Sequence, residues 1–156
     1  MYFIKIFFPN FAFHYKNILY FCDLKFEKME QQLNYQEWFL QSDYDLETAE
    51  HMLQSGRNVY CIFMCHLSLE KALKGLYIKR LNQFAPRLHN LMYFVERLAL
   101  EPEDAQRDFI KRLNEKGTTT RYPEDLRKMI KDYSHKQTNE IYQQTKTVLQ
   151  WIKSLL

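Results

Sequence analysis

Turn-forming residues and cysteines are scarce in this sequence of 156 residues. It contains three glycines and four prolines, too few for the many turns of an all-β fold. Its three cysteines are an odd and sparse set, poorly suited to a disulfide framework and typical of a reducing cytoplasm. No run of about 18 apolar residues occurs, so no transmembrane helix is predicted. The sequence therefore predicts a cytoplasmic protein that does not cross a membrane.

A strong excess of charge of either sign is also missing. The formal net charge is +3, which permits anionic partners without requiring them, whereas dedicated DNA-binding domains are usually more basic. The glycine-rich loops that cradle phosphate and the H-E-x-x-H zinc motif are both absent. At this length, the chain is most simply one domain with a substantial core.

Residues 1–28 form an atypical, aromatic-rich N-terminal extension with few acids and no sustained helical period. Lysine, proline, asparagine and histidine interrupt its apolar run, and no small-residue cleavage site follows, which argues against a secretory signal. Three interpretations stay open. The segment is an edge strand or extra helix on the bundle, a contact with a partner or membrane surface, or an upstream read-through before a true start at Met29. We predict no functional residue in it.

Helical periodicity begins near Met29 and continues to the C-terminus. Gly117 is predicted to end the fourth helix, and Ser134 and Gln137 have the spacing of a capping box for the last one. We therefore predict an all-α fold for residues 29–156, an antiparallel up-and-down bundle of five to six helices. The predicted helices cover about 35–55, 58–82, 89–99, 102–115, a short segment from Pro123, and 135–155.

The second predicted helix is the most apolar part of the chain. About half of its circumference is apolar, wider than the stripe of an ordinary surface helix, so it is central in a bundle or also serves an oligomer interface. Glu70 projects into this apolar arc, and Lys74 is expected just beyond its edge. Gly75 costs about 1 kcal/mol relative to alanine within a helix. A close helix crossing or a close ligand approach would explain that cost.

The same helix carries Cys61, Cys65 and His66 within one and a half turns, which raises the question of a metal site. Zinc sites need four ligands, usually in two closely spaced pairs, and no second cluster is present. The position of Cys61, Cys65 and His66 on the apolar arc favours packing of these side chains in the core. We predict no metal, no cofactor and no catalytic residue.

Two segments carry basic residues that could bind an anion. Pro123 favours an extended conformation at Tyr122, which predicts an irregular segment holding Arg121 and Tyr122. There, Arg121 either caps helix carbonyls or binds phosphate, and Tyr122 either packs on the bundle or contacts a ligand. The other segment has five bases and no acid and could be either a solvated face or an anion-binding face. Its bases, followed by His89, are Lys71, Lys74, Lys79, Arg80 and Arg87.

Four short motifs occur in order along the chain. They are W-x6-D-L-x2-A from Trp38 to Ala49, LSLEKALKGLYI from Leu67 to Ile78, P-x2-H-x-L from Pro86 to Leu91, and RYP from Arg121 to Pro123. Together they resemble the HEPN family (higher eukaryotes and prokaryotes nucleotide-binding domain) over residues 35–152. The resemblance implies an antiparallel helical bundle that commonly forms a homodimer. It also implies a minimal nucleotidyltransferase as partner, as in toxin–antitoxin pairs.

Ribonucleases of the HEPN family carry the motif R-x4-6-H, and this chain has no arginine–histidine pair at that spacing. Its pairs are Arg57-x8-His66, Arg80-x8-His89 and Arg127-x7-His135. The resemblance is therefore to the non-nuclease branch and implies that a nucleotide or RNA is bound. Two alternatives stay open: a metal-independent RNA endonuclease that uses His89 or His135 with a nearby arginine, and a protein-interaction bundle. The implied binding residues are Glu70, Lys74, His89, Arg121 and Tyr122.

Overall fold

The computed structural model describes residues 34–121 and 124–156. Within these ranges the chain forms six α-helices and no strand, which confirms the predicted all-α fold. The predicted extension at residues 1–28, together with Tyr122 and Pro123, lies outside the described residues. The helices are α1 (Tyr35–Gln54), α2 (Asn58–Leu81), α3 (Leu91–Arg97), α4 (Asp104–Arg121), α5 (Leu126–Asp132) and α6 (His135–Ser154).

Local capping interactions set several of the helix ends. Ser134 and Gln137 form the predicted capping box at the start of α6, which satisfies two backbone donors that the helix itself cannot use. Gly56, at φ +71°, makes the left-handed turn after α1. Asn90 caps α3 by accepting a hydrogen bond from the backbone N–H of Tyr93. The third helix consequently begins at Leu91, two residues later than predicted.

Helix α2 lies at the centre of the bundle and contacts each of the other five helices. This position explains its wide apolar arc. Lys74 was expected beyond the edge of that arc, but its side chain is buried, with only 7% of the residue exposed. The reason is that rings from two neighbouring helices cover this side of α2: Lys74 Nζ lies 5.6 Å from the ring centroid of Trp38 and 6.0 Å from that of Phe94.

Gly75 lies where α1 packs closely against α2. A Cβ atom built on Gly75 would lie 2.9 Å from Phe39 Cε2 and 3.2 Å from Trp38 Cβ. On the same pair of helices, the Ser42 hydroxyl donates a buried hydrogen bond of 2.8 Å to the backbone carbonyl of Ser68. A close helix crossing is therefore sufficient to explain the glycine.

The predicted end of the fourth helix at Gly117 is wrong, because α4 continues to Arg121. Gly117 is buried, and a Cβ at this position would overlap the imidazole of His66 on α2. The glycine thus permits close packing in the middle of a helix and does not terminate it. Arg121 consequently lies in the last turn of α4 and not in an irregular segment.

In the described part of the chain, no helix is long and apolar enough to cross a membrane.

Candidate functional site

Glu70 lies at the centre of a group of basic side chains, which we call the Glu70 cluster: Glu70, Lys74, His89, Arg121 and His66. Lys74 Nζ donates a hydrogen bond of 2.7 Å to Glu70 Oε1. His89 Nδ1 lies 3.0 Å from each carboxylate oxygen. Arg121 Nη2 and His66 Nδ1 are each 3.8 Å from Glu70 Oε2. The structure thus brings together four of the five residues implied by the family resemblance, and the fifth, Tyr122, lies outside the described residues.

Three parts of the chain build this cluster. His66, Glu70 and Lys74 occur at intervals of four residues on α2, which places them along one face of the helix. His89 lies directly before the N-cap residue of α3. The backbone N–H of Leu91, the first residue of α3, donates a hydrogen bond of 2.7 Å to a side-chain oxygen on α4. Arg121 comes from the last turn of α4. The junction of α2, α3 and α4 therefore defines the site.

The carboxylate of Glu70 is ionised at neutral pH even though only 4% of the residue is exposed. Burial alone would raise the pKa of this carboxyl, but the hydrogen bonds and positive charges of Lys74 and His89 outweigh burial and lower the pKa of Glu70. An ionised carboxylate only accepts hydrogen bonds. His89 therefore donates from Nδ1, and its Nε2 is left for other contacts.

His66 is buried, with 1% of the residue exposed, and neither ring nitrogen makes a hydrogen bond of normal geometry within the described residues. Burial, helped by the charges of Arg121 and His89, lowers its pKa to about 4, although Glu70 and the backbone of His89 act in the opposite direction. The imidazole is therefore neutral at pH 7 and presents one donor and one acceptor. The Nε atom of Arg121 is also buried without a hydrogen-bond partner in the described chain.

Beside the cluster lies a small cavity of about 140 Å³. Its lining residues are His66, His89, Gly117, Thr118 and Arg121. The side chain of His89 is 59% exposed and stands at the solvent side, whereas the guanidinium of Arg121 packs 5.4 Å from the ring centroid of Phe63. This cavity, together with the exposed imidazole of His89, is the candidate binding site.

His66 was predicted to pack in the core together with Cys61 and Cys65, and its burial confirms this. The two cysteines do lie in the core as free thiols, and the hydrogen bond between them, with burial, raises the pKa of Cys65. Among the described residues, no three or more His, Cys, Asp or Glu side chains are arranged so that they could hold a metal ion. His66 also lies one turn before Glu70, which brings its Nδ1 to 3.8 Å from the carboxylate. His135, the other histidine proposed for catalysis, is exposed at the start of α6.

The low pKa of His66 predicts a loss of stability on mild acidification. Between about pH 6.5 and pH 4 the unfolded chain binds a proton that the folded chain does not, so the free energy of unfolding falls as the pH is lowered. The full effect is about 3 kcal/mol. Urea unfolding at pH 7.5 and pH 5.5 should show a smaller difference in the His66→Leu variant than in the wild type. An equal loss of stability in both proteins would contradict the assignment of this pH dependence to His66. The His51→Gln variant, which changes an exposed histidine, serves as a control.

The architecture and the site together define an all-α bundle with a buried polar cluster beside its central helix. The family model of the HEPN domain matches residues 35–155, and the chain belongs to this family.

Among solved structures, TT1696 from Thermus thermophilus is similar, with a TM-score of 0.65 and 23% sequence identity. The match covers 79% of this chain and 98% of TT1696. ST0689, an archaeal HEPN homologue, has a TM-score of 0.63 and 22% identity, covering 78% and 97%. These likenesses support the fold. No curated protein sequence matches the chain significantly.

Proposed function

We propose that this HEPN domain binds a nucleotide or nucleic acid through phosphate at the Glu70 cluster, without catalysis of its own. The observation that carries the proposal is the convergence of Lys74, His89 and Arg121 on Glu70 beside the cavity. A guanidinium donates paired hydrogen bonds in the geometry that phosphate oxygens accept. The exposed imidazole of His89 at the same cavity adds a second donor or acceptor for the ligand.

The remaining residues of the site have supporting roles in this proposal. Lys74 is one of the binding residues that the resemblance implies, but its ammonium is bound to Glu70 and it is not among the residues that line the cavity. We assign to Lys74 and Glu70 the task of holding His89 in position. Tyr122 follows Arg121 directly in the sequence, and stacking or hydrogen bonding to the ligand remains its predicted role.

Isothermal titration of the full chain with ATP, GTP and short RNA tests the proposal. We expect at least one of these ligands to bind, and Arg121→Ala to weaken that binding about 10- to 100-fold, because a charge-assisted hydrogen bond contributes about 1.5–3 kcal/mol. Arg112→Ala, an exposed arginine on the same helix, removes the same charge outside the cavity and should leave the affinity nearly unchanged. The proposal would be refuted if none of the three ligands gave heat of binding, or if Arg121→Ala and Arg112→Ala bound the ligand equally well.

A metal-independent RNA endonuclease is the second candidate, and one observation favours it. His89 and Arg121 are far apart in the sequence, yet both contact Glu70 and line one cavity. A histidine held by a carboxylate is suited to proton transfer, and an arginine is suited to stabilising a charged phosphoryl group. Incubation of the purified protein with RNA in EDTA distinguishes the two functions. RNA that stays intact excludes the nuclease, whereas cleavage lost in His89→Ala would replace our first proposal.

Partner proteins belong to the same proposal. HEPN domains commonly form dimers, and we propose a cytoplasmic homodimer that acts with a minimal nucleotidyltransferase in a toxin–antitoxin-like pair. A surface suited to such contacts carries exposed apolar side chains at Tyr60, Leu126 and Ile130 around a shallow concavity. Sedimentation of the purified chain tests the homodimer: a monomer at all concentrations would exclude it. Co-purification with a nucleotidyltransferase encoded by a neighbouring gene tests the second partner.

A further inference from the structure

Helix α5 exposes apolar side chains to solvent. None of its residues is buried, and Leu126 and Ile130 are 44% and 56% exposed. These two residues are four positions apart, so they share one face of the helix. The helix is nevertheless held to the bundle, because the Asn58 side chain donates a hydrogen bond of 2.8 Å to the backbone carbonyl of Tyr133. An apolar face is thus fixed in position without being covered by any of the described helices.

Helix α2 continues this apolar face. Tyr60 is 51% exposed and lines, with Leu126 and Ile130, a concavity of about 130 Å³. Three more apolar side chains on α2 are only half-buried, at the third, fourth and seventh positions after Tyr60, which is the spacing of one helix face. They extend the face by about 10 Å along α2. We call the whole surface the α2–α5 patch: Tyr60, Phe63, Met64, Leu67, Leu126 and Ile130.

Basic groups flank the α2–α5 patch. Arg57 is the one charged residue among those that line the concavity in the described chain. The first turn of α2, which forms the same wall, has neither a side-chain cap nor an acidic residue, so its partial positive charge adds to that of Arg57. On α5, the exposed Arg127 and Lys131 directly follow the two exposed apolar residues. The patch therefore has an apolar centre and a positive rim.

The acidic residues of the same segment do little to neutralise this rim. The carboxylate of Asp125 accepts a hydrogen bond from the backbone N–H of Lys128 and caps α5. Asp132 lines a separate cavity beside α4 and α6. Glu124 lies before the helix and is the remaining acid of this stretch. A partner surface with an apolar centre and carboxylates around it would therefore complement the patch.

We propose that the α2–α5 patch docks an amphipathic helix of a different protein, whose apolar face is flanked by aspartate and glutamate. The concavity is too small for a drug-sized ligand, which needs about 300–1,000 Å³, and suits one apolar side chain of that helix as an anchor. Carboxylates on either side of the anchor would pair with Arg57, Arg127 and Lys131. A second copy of this chain, docked by the same patch about a two-fold axis, would instead bring these basic groups together.

The inference deepens the proposal of a partner protein by naming the chemistry of the surface that the partner presents. It does not depend on ligand binding at the Glu70 cluster. A homodimer of the chain would then form through another face.

Selection from a display library tests the inference, with the purified full chain as bait. The library consists of amphipathic helices of about four turns, with leucine on the apolar face and Asp, Glu, Lys or Arg beside it. We expect the selected peptides to carry acidic flanks. Their affinities are then measured by fluorescence anisotropy.

Two matched variants locate the binding surface. Ile130→Asp should weaken binding of the selected peptides about 10- to 100-fold, because it places a carboxylate at the centre of the patch. Leu40→Asp introduces the same charge at an exposed leucine on α1, outside the patch, and should keep the affinity within about threefold. Both positions are exposed, so both variants should fold. Arg127→Glu combined with Lys131→Glu should shift the selection toward peptides with basic flanks.

Each other outcome would overturn the inference. Selection of no peptide above an unrelated protein, or of peptides with basic flanks by the wild type, would remove the proposed chemistry. Equal binding by Ile130→Asp and Leu40→Asp would place the peptides elsewhere. A homodimer that sediments as a monomer only in Ile130→Asp would show that a second copy occupies the patch. Ile130→Asp should leave nucleotide binding unchanged, so failure of the nucleotide titrations and failure of this inference are separate results.

Discussion

Replacing Glu70 by glutamine is expected to lower the free energy of unfolding by about 3–5 kcal/mol, the cost of breaking a buried ion pair by removal of one partner. Glutamine keeps the size of the side chain but removes the charge that balances Lys74 and Arg121. The ammonium of Lys74 is buried, so it cannot regain water without moving past the rings of Trp38 and Phe94. Unfolding in urea at pH 7.5 measures the loss.

Two further variants test whether the loss comes from the unpaired charge. In Glu70→Gln combined with Lys74→Met, the buried cation is absent, and most of the lost stability should return. Asp45→Asn disrupts the pair with Lys71, whose side chain is 24% exposed, and should cost less than Glu70→Gln because water screens the remaining lysine. Equal losses at Asp45 and Glu70, or no recovery in the double variant, would contradict the central role of Glu70.

Gly117→Ala is expected to destabilise the protein by about 2–3 kcal/mol through overpacking. The added Cβ would lie 2.1 Å from Cδ2 and 2.3 Å from Cγ of the His66 ring. That ring is buried inside the bundle, so it has little room to move away. The gain in helix propensity from glycine to alanine, about 1 kcal/mol, is too small to offset the overlap.

The sign of the Gly117 effect should reverse when His66 is removed. In a His66→Ala background the overlap is gone, and Gly117→Ala should then stabilise the protein by about 1 kcal/mol through helix propensity alone. Urea unfolding of the four proteins gives the double-mutant cycle. Destabilisation by Gly117→Ala in both backgrounds would show that the glycine serves a purpose other than accommodating the imidazole.

Much of the fold could be predicted because its signals are local. Apolar periodicity placed the ends of α1 and α2 within about one residue of their positions in the structure. The spacing of Ser134 and Gln137 predicted a capping box that the structure contains. Gly117 shows the limit of such signals. A glycine that ends a helix and a glycine that admits a side chain from another helix look identical in the sequence.

The site was predictable only in part. The polar positions carried over from the family included Glu70, His89 and Arg121, which do lie together. His66 was assigned to the core because it lies on an apolar arc, and burial is indeed its main property. Only the packing of α4 across α2 shows that the same imidazole also borders a cavity.

By itself, the sequence determined the helical class, the boundaries of α1, α2 and α6 and the membership of the resembled family, because these depend on the order and spacing of neighbouring residues. The tertiary structure alone decided that Lys74 is buried beside the rings of Trp38 and Phe94, that α4 continues through Gly117 to Arg121, and that His66 lines a cavity. The physical reason is that burial depends on which helices cover a given face. Those contacts join residues on different helices, beyond the reach of any local pattern.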